Sequence, residues 1–473
     1  MNTRISKITQ IRKNTSTAIL IDNPNQISHQ FLDENETVYL KGKLEKEDDC
    51  TVFKYPAVYF FGKIKDTKDS FSREEAARKA GAKLFSVLKT EKIRSVQMLS
   101  FSQPGLMLPF LEGLLLADYS FSKYKKGKED FEVSEILILD EATGEENIKE
   151  LQTLVKAVFH ARNWVNEPLS YLTASQLSCE IEKLGEEAGF EVEIFNKKKI
   201  EALKMGGLLA VNKGSIDPPT FTILEWKPEN ANNKKPVILV GKGIVFDTGG
   251  LSLKPTPKSM DYMKCDMAGA AVVATAIYAA AKNHLPVHVI GLIPATDNRP
   301  DGKAYVPGDI ITLFDGTTVE IKTPAAEGRL ILADALGYAK KYSPQLVIDM
   351  ATLTGAAEIV AGNQAAVGMG NTSEYLQKIK QAGEETYERI IEMPLWEEYA
   401  KSLKSQVADL NNLGAREAQS IVAGKFLEHF TAYPWIHLDM AGVSYFAETD
   451  SYIPAGGTGF GTRLIYNFLK KFN

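Results

Sequence analysis

Hydrophobic and polar positions alternate along the first 140 residues in short blocks, and their period switches between strand-like and helix-like. Apolar residues at helical spacing predict helices over 72–88 and 104–121. Between and around them, β-branched and aromatic runs bounded by polar turns predict strands. The predicted strands are residues 17–21, 37–40, 52–53, 58–61, 96–99 and 136–140. We therefore expect a small α/β unit in this part of the chain.

A long amphipathic stretch at 145–166 separates this unit from a second pattern. It ends before Pro168, as expected because a residue that precedes proline disfavours the α region. Beyond it, strand-like and helix-like segments alternate. We predict strands at 190–195, 208–211, 221–226, 236–247, 287–293, 346–352 and 435–442, a hairpin at 315–316, and helices at 197–204, 268–283, 327–342, 373–390, 396–407 and 416–430.

Such alternation is typical of a mainly parallel or mixed sheet with helices on both faces. The 473 residues also exceed the roughly 250–300 at which a single core stops growing. We therefore predict an α/β protein of two domains. A small N-terminal α/β domain would span 1–142, a linking helix 143–168, and a larger C-terminal domain 169–473.

Composition and charge narrow the classes of function. A formal net charge of −5 and a pI near 5.9 argue against nucleic-acid and membrane-surface binding. No stretch approaches the roughly 20 apolar residues of a membrane span. Three widely spaced cysteines and the lack of a long apolar run in the first twenty residues favour a cytoplasmic protein. Six scattered histidines show no metal-ligand spacing, so any metal must be held mainly by oxygen atoms.

Candidate chemistry is concentrated between residues 240 and 330, at glycine-rich strand ends. Asp247, Asp266 and Glu327 are candidate ligands, because hard divalent cations prefer carboxylates. Two such cations about 3.5–4 Å apart can together activate one bridging water. Lys242 lies between two glycines and could join them only as the neutral amine. Charged groups that could stabilise an oxyanion or hold a small anion follow at Lys254 and Arg329.

Each of these residues also has a structural interpretation. An aspartate beside glycines is more often a turn or cap residue, and a loop lysine is more often solvated. Arg329, in the first turn of a predicted helix, could pair with Asp334 or Glu327 on the surface. Phosphate binding is a poor alternative for the glycines. The segment 241–250 lacks the Gly-Lys-Ser/Thr of a P-loop, and no strand directly precedes 456–461.

Several long motifs resemble the leucyl (cytosol) aminopeptidase family. They are GKGIVFDTGGLSLKP (241–255), MKCDMAGAAVV (263–273), AAEGRLILADAL (325–336) and DMATLTGA (349–356), and the resemblance extends over about 160–470. It implies a hexameric, cytoplasmic exopeptidase that acts on peptides with two manganese or zinc ions.

The resemblance also implies roles for single residues. Lys242, Asp247, Asp266 and Glu327 match metal ligands, with Asp247 and Glu327 bridging the two ions. The catalytic pair would be Lys254, which polarises the scissile carbonyl, and Arg329, which holds a bicarbonate-type anion as general base. Three residues that otherwise suit a plain core would lie near the pocket for the first substrate side chain: Met263, Thr352 and Ala441.

At one position, this chain lacks a metal-binding side chain that the family's Asn-Thr-Asp-Ala-Glu-Gly-Arg-Leu signature contains. This chain has Thr323-Pro324-Ala325 before Ala326 and Glu327, so only the backbone carbonyl of Ala325 is left as a ligand. Three carboxylates leave two dications one negative charge short. Because the two residues before Ala325 also differ, natural divergence is favoured over a deliberate single change.

Two hypotheses follow from this departure. The chain is a metal-dependent aminopeptidase that releases leucine-type N-terminal residues, weakened at its second metal. Alternatively, it is a catalytically impaired member of the family that serves as a hexameric scaffold or binding protein.

Overall fold

The computed structural model describes residues 3–27, 31–65, 67, 69–127 and 131–472, and its contacts divide the chain into two compact units. The first unit comprises Met1–Lys156 and Glu448–Ala455, and the second comprises Ala157–Ala447 and Gly456–Asn473. The division falls inside a helix at Glu145–Asn166, within the range predicted as the linking helix. The predicted domain boundaries at 142 and 168 stay a prediction.

The first unit contains a six-stranded sheet in the order β1-β6-β5-β2-β4-β3, parallel except for β3. Its strands are β1 (Arg4–Lys7), β2 (Thr17–Ile21), β3 (Asp49–Lys54), β4 (Ala57–Lys63), β5 (Ser95–Ser100) and β6 (Glu135–Leu139). The helices in this part of the chain are α1 (Glu34–Leu44), α2 (Ser70–Thr90), α3 (Met107–Ala117) and α4 (Glu145–Asn166), with a 3-10 turn at Pro24–Gln26.

The strand predicted at 37–40 is wrong, because these residues lie inside α1. Asp33 caps this helix by accepting a hydrogen bond from the Glu36 N–H at 2.9 Å. The Glu36 carboxylate accepts one in return from the Asp33 N–H at 2.8 Å. This reciprocal capping box determines the local structure, although Val38 and Tyr39 prefer strands. Both of these side chains are exposed.

The second unit is built on a nine-stranded mixed sheet in the order β16-β15-β18-β14-β9-β11-β8-β7, with β10 added beside β11. Its remaining strands are short and lie outside this sheet. The strands are β7 (Glu191–Phe195), β8 (Thr220–Trp226), β9 (Val237–Gly241), β10 (Gly243–Asp247), β11 (Val289–Asn298), β12 (Ile310–Thr312), β13 (Thr318–Glu320), β14 (Leu346–Ala351), β15 (Ala366–Gly370), β16 (Ile390–Glu392), β17 (Leu410–Asn411), β18 (Trp435–Asp439), β19 (Tyr445–Phe446) and β20 (Gly456–Gly457).

Helices of this unit cover the sheet. They are α5 (Ala174–Ala188), α6 (Lys197–Ala202), α7 (Gly206–Asn212), α8 (Ala268–Lys282), α9 (Gly328–Ala339), α10 (Gly355–Ala361), α11 (Ser373–Thr386), α12 (Gln419–Glu428) and α13 (Thr462–Lys470), with 3-10 segments at Met260–Cys265, Lys340–Tyr342 and Glu397–Leu403. The central strands β18, β14, β9 and β11 are parallel to one another and buried on both faces. The predicted α/β class, with a mainly parallel or mixed sheet, is confirmed.

The strand predicted at 208–211 is wrong, because these residues form helix α7. A short apolar run does not by itself distinguish a buried strand from a buried helix. Here the run packs against α9. A Cβ on Gly207 would lie 2.3 Å from the Leu330 carbonyl oxygen, so only glycine permits this approach. The Leu208 N–H donates to the buried Asp334 carboxylate at 2.8 Å.

Among the described residues, one helical run, Met260–Lys282, is long and apolar enough to cross a membrane by length and composition. This run comes closer to membrane-spanning length than the sequence pattern had suggested. However, 89% of its most apolar window is buried within the protein. Such burial is typical of a core helix, and α8 packs against strands β9, β10 and β11.

Candidate metal centre

The candidate site begins where the chain leaves β9 and enters β10. Lys242 occupies the single position between these strands, and close packing explains the glycines on either side of it. A Cβ on Gly241 would lie 2.7 Å from the Ala270 Cα, and one on Gly243 would lie 2.6 Å from the Pro294 carbonyl oxygen. Close packing on both sides therefore fixes the position of the Lys242 backbone, from which its side chain extends.

The Lys242 ammonium is surrounded by oxygen atoms. It donates to Asp266 Oδ1 at 2.8 Å and to the Thr352 carbonyl oxygen at 2.9 Å, and it lies 3.0 Å from Glu327 Oε1. Burial opposes the charged form, but Asp266 and Glu327 raise the pKa of Lys242 above its ordinary value. A Cβ on Gly328 would lie 2.5 Å from Lys242 Cε, so this glycine lets Glu327 come close.

Asp247 ends strand β10 and is 1% exposed. Its Oδ1 accepts hydrogen bonds from the Gly249 N–H and from Asn298 Nδ2, both at 2.8 Å. Its Oδ2 pairs with the ammonium of Lys254. Burial opposes the charge on Lys254, yet Asp247 holds the pKa of that lysine above its ordinary value. Lys254 Nζ also lies 3.1 Å from Met263 Sδ.

Two carboxylate oxygens of the site are buried without a hydrogen-bond partner among the described residues. These atoms are Asp266 Oδ2 and Glu327 Oε2. Burial raises the pKa of Asp266 to about 7. Asp247, Asp266 and Glu327 each offer an oxygen, and these oxygens lie within 4.8 Å of one another. Three buried carboxylates this close together fit a divalent cation, which would also satisfy the unpartnered oxygens of Asp266 and Glu327.

Arg329 is 2% exposed and lies in the first turn of α9. Its Nη1 donates to the Leu413 carbonyl at 3.4 Å, and its guanidinium lies 5.9 Å from the centre of the Phe426 ring. Its Nε has no hydrogen-bond partner within the described part of the chain. Burial lowers the pKa of Arg329 to about 10, and Glu327 opposes this shift. A buried cation with a free donor fits a small anion.

The alternative in which Arg329 pairs with Asp334 on the surface is wrong. Both side chains are buried, and Asp334 accepts hydrogen bonds from the Leu208 and Phe314 N–H groups, both at 2.8 Å. Asp334 therefore joins α9 to neighbouring backbone.

Residues 323–326, called the signature segment below, are positioned through their backbone. The Pro324 carbonyl accepts from Tyr305 OH at 2.7 Å and from Asn298 Nδ2 at 3.0 Å. Asn412 Nδ2 donates to the Thr323 carbonyl at 2.7 Å. Ala325 is half-buried and presents only a methyl group. The segment thus has a well-defined path but no acidic side chain.

Glu320, the nearest acid upstream, does not replace the absent carboxylate. It lies on β13, where its Oε1 pairs with Lys322 at 2.5 Å and its Oε2 accepts from Ser405 Oγ at 2.6 Å.

Residues 159–466 match the family model described as the cytosol aminopeptidase family, catalytic domain. The chain belongs to the cytosol aminopeptidase family. A probable cytosol aminopeptidase of Chlorobaculum tepidum is 46% identical over 76% of this chain and 74% of its own length. Another, of Geobacter sp. strain M21, is 39% identical over 84% of this chain and 82% of its own.

A solved structure titled "Bottromycin maturation enzyme BotP in complex with Mn" superposes with a TM-score of 0.86 and 28% identity. The superposition covers 97% of this chain and 99% of the chain in that structure. The family resemblance inferred from the motifs is confirmed.

For this member of the cytosol aminopeptidase family, the structure brings most of the predicted site residues together. Lys242, Lys254 and the three acids form one connected group, with Met263 beside Lys254. Thr352, predicted only as a pocket residue, also donates from Oγ1 to Asp266 Oδ1 at 2.7 Å.

The third predicted pocket residue, Ala441, lies somewhat apart. It packs beside α10 and donates from its N–H to Asp439 Oδ1 at 3.2 Å. Asp439 Oδ1 also accepts a hydrogen bond from the Leu353 N–H at 3.0 Å. Leu353 directly follows Thr352, so Asp439 connects the backbone at Ala441 with the backbone beside Thr352.

Sequence reasoning missed Asn298, which contacts both Asp247 and the signature segment. A signal was available, because Asn298 is a polar residue that follows an apolar strand-like run, and sites in α/β sheets lie at the carboxyl ends of strands. In the structure it pairs with Asp247 of β10. The strand predicted at 287–293 ended before Asn298, whereas β11 extends to that residue. Asn298 is buried, and buried strand positions usually carry apolar residues.

Proposed function

We propose that this chain is a metal-dependent aminopeptidase that releases leucine-type N-terminal residues from peptides. The observation that carries the proposal is the convergence of Lys242 with three buried carboxylates, two of whose oxygens lack a partner. Family membership and relatives described as probable cytosol aminopeptidases give this cluster its chemical context.

Asp247, Asp266 and Glu327 would hold the divalent cation, manganese or zinc, and Lys242 would join them after losing its proton. When bound, such a cation acidifies water and polarises a peptide carbonyl. Because Lys242 is protonated among the acids, cation binding has to displace a proton.

The remaining charged residues have separate tasks. Lys254 keeps its charge, and with 23% of its side chain exposed it can be reached by a substrate. It would stabilise negative charge that develops on the scissile carbonyl oxygen. Arg329 would hold a small anion such as bicarbonate through its free Nε, and that anion would accept a proton during hydrolysis. Met263, Thr352 and Ala441 would border the side chain of the first substrate residue.

The second cation would be held weakly. The family's fourth carboxylate is replaced by the methyl group of Ala325, so only the backbone carbonyl of that residue can contribute. Glu320 is engaged elsewhere, by Lys322 and Ser405. Two dications exceed the negative charge of three carboxylates even before Lys254 and Arg329 are counted, which disfavours full occupancy.

A catalytically impaired scaffold or binding protein is the second candidate. It is favoured by the balance of charge in the site. Without any metal, the positive charges of Lys242, Lys254 and Arg329 already equal the negative charges of the three carboxylates. Elemental analysis of the purified chain, read together with its activity, separates the two. Two tightly bound ions per chain count against the scaffold, whereas one or none together with no activity supports it.

Hydrolysis of a leucyl-anilide with added Mn²⁺ tests the primary proposal, with the Glu327→Ala variant as the matched control. We expect wild-type turnover well above that of the variant and no turnover of the N-acetylated substrate, because exopeptidase action needs a free amine. A wild-type rate equal to that of Glu327→Ala would exclude the aminopeptidase.

We also propose that the protein is a cytoplasmic homo-hexamer, a proposal that rests on the family alone. Light scattering coupled to size exclusion should give six times the 52.2 kDa chain mass. A monomeric mass would overturn it.

A further inference from the structure

Asn298 makes two side-chain contacts that join different parts of the candidate site. Its Nδ2 donates to Asp247 Oδ1 at 2.8 Å and to the Pro324 carbonyl oxygen at 3.0 Å. Its own backbone carbonyl accepts from the Thr248 N–H at 3.0 Å and from Thr248 Oγ1 at 2.8 Å. The side chain is 1% exposed, so these contacts form away from solvent.

The two acceptors determine which way the Asn298 amide is oriented. A carboxylate oxygen and a backbone carbonyl oxygen can only accept, so the amide nitrogen must face both of them. In the flipped orientation, the amide oxygen would face two other oxygens and lose both hydrogen bonds. Both amide hydrogens are therefore committed, one to Asp247 and one to the signature segment.

The consequence for Asp247 concerns its coordination. Oδ1 already accepts two hydrogen bonds, from Gly249 N–H and from Asn298, which occupy its two lone pairs. Oδ2 makes a single ion pair, with the partly exposed Lys254 side chain. Asp266 and Glu327 show a related division, because Lys242 contacts one oxygen of each carboxylate and the other oxygen has no hydrogen-bond partner among the described residues.

We propose that Asn298 is a positioning residue of the metal centre that keeps Asp247 Oδ1 out of the coordination sphere and presents Oδ2 alone to the cation. Through Pro324 it also couples the orientation of this carboxylate to the path of the signature segment. The proposal rests on the metal-dependent function proposed above. It predicts that losing Asn298 weakens cation binding even though no ligand is lost.

Tyr305 provides a matched control, because its hydroxyl donates to the same Pro324 carbonyl, at 2.7 Å. Tyr305→Phe therefore loosens the signature segment and leaves the Asp247 contact intact. Asn298→Ala removes both contacts. The difference in Mn²⁺ affinity between the two variants therefore measures the effect of the contact with Asp247.

The experiment measures Mn²⁺ binding to the full chain by electron paramagnetic resonance, with thermal melting in chelator to compare the metal-free folds. Removing a partner that orients a metal ligand typically costs about 10–100-fold in metal affinity. We expect a loss in that range for Asn298→Ala, and a change of less than about 3-fold for Tyr305→Phe. If Asn298→Ala melts far below the wild type, Asn298→Ser is compared instead, because its short hydroxyl cannot reach both oxygens.

Equal Mn²⁺ affinity in the wild type and a folded Asn298 variant would overturn the proposal and leave Asn298 a purely structural residue. The same holds if Tyr305→Phe loses as much affinity as Asn298→Ala. A wild type that binds no Mn²⁺ would overturn both this inference and the proposed function. A wild type that binds Mn²⁺ but cleaves no leucyl-anilide would overturn the peptidase alone.

Discussion

The carboxylate cluster (Lys242, Asp247, Asp266 and Glu327) and the signature segment are neighbours in one site but are built differently. In the cluster, the Lys242 ammonium joins Asp266 and Glu327, and two carboxylate oxygens are left without a partner among the described residues. In the signature segment, neutral amide and hydroxyl groups of Asn298, Tyr305 and Asn412 hold the backbone. Ligand chemistry and backbone placement are thus carried by different residues.

This difference explains why the path of the segment does not depend on an acid at position 325. The donors that hold it bind carbonyl oxygens, which every residue type supplies. Replacing an aspartate by Ala325 removes a candidate ligand but none of these hydrogen bonds. The cluster lacks this tolerance, because each of its contacts uses a specific charged group.

The largest effect is expected from Glu327→Ala, which breaks the cluster itself. The variant leaves the Lys242 ammonium with Asp266 as its close acidic partner and removes one of the unpartnered oxygens. Mn²⁺ affinity should fall by more than the roughly 10–100-fold typical of partners outside the ligand shell. The Mn²⁺-dependent rise in melting temperature should disappear. Glu320→Ala is the control, and an equal loss there would contradict the assignment.

Restoring the absent acid with Ala325→Asp tests whether the signature segment kept its geometry. A fourth carboxylate should raise the affinity for a second Mn²⁺ by about 10-fold or more, because ligand charge tunes cation binding. It should also lower the melting temperature in chelator, since like charges then crowd together. Ala326→Asp, one residue further on and also half-buried, is the matched control. An unchanged metal stoichiometry in Ala325→Asp would show that the segment no longer faces the cluster.

The third prediction concerns Asp334, which anchors the helix that follows Glu327. Burial raises the pKa of Asp334 to about 7, well above the roughly 3.9 of an unfolded aspartate. The folded state therefore binds more protons between these values, and unfolding free energy should fall as pH rises from about 4 to 7. In chelator, Asp334→Asn should remove up to about 4 kcal/mol of this dependence.

Denaturant unfolding at several pH values measures this dependence. Some slope should remain in Asp334→Asn, because burial also raises the pKa of Asp266 to about 7. Identical pH profiles for the variant and the wild type would contradict the prediction.

The smallest effect is expected from Tyr305→Phe, which removes one hydrogen bond to the signature segment. Its loss should cost about 1 kcal/mol of unfolding free energy. Tyr433→Phe is a comparable change away from the segment, because its hydroxyl donates to the Leu336 carbonyl at 2.6 Å. A loss several times larger for Tyr305 than for Tyr433 would mean that the hydrogen bonds from Asn298 and Asn412 do not hold the segment without Tyr305.

Much of the fold could be predicted from the sequence because most elements carry their own periodicity. Strand β2 and helix α2 follow the expected pattern within a few residues. The errors at 37–40 and 208–211 have local causes. A capping box determines the first, and a glycine-mediated contact with α9 determines the second. Hydrophobic periodicity alone predicts neither a side-chain cap nor the distance at which two elements pack.

The sequence by itself determined which residue types the site contains, their glycine-rich surroundings and the absence of an acid at Ala325. Only the tertiary structure decided which oxygens remain free, that Arg329 is buried, and that Asn298 joins Asp247 to Pro324. These contacts join residues far apart in the chain, and they exist because β10 lies beside β11 and β14 beside β9. Strand order depends on the packing of the whole sheet, and the spacing of residues within one motif does not encode it.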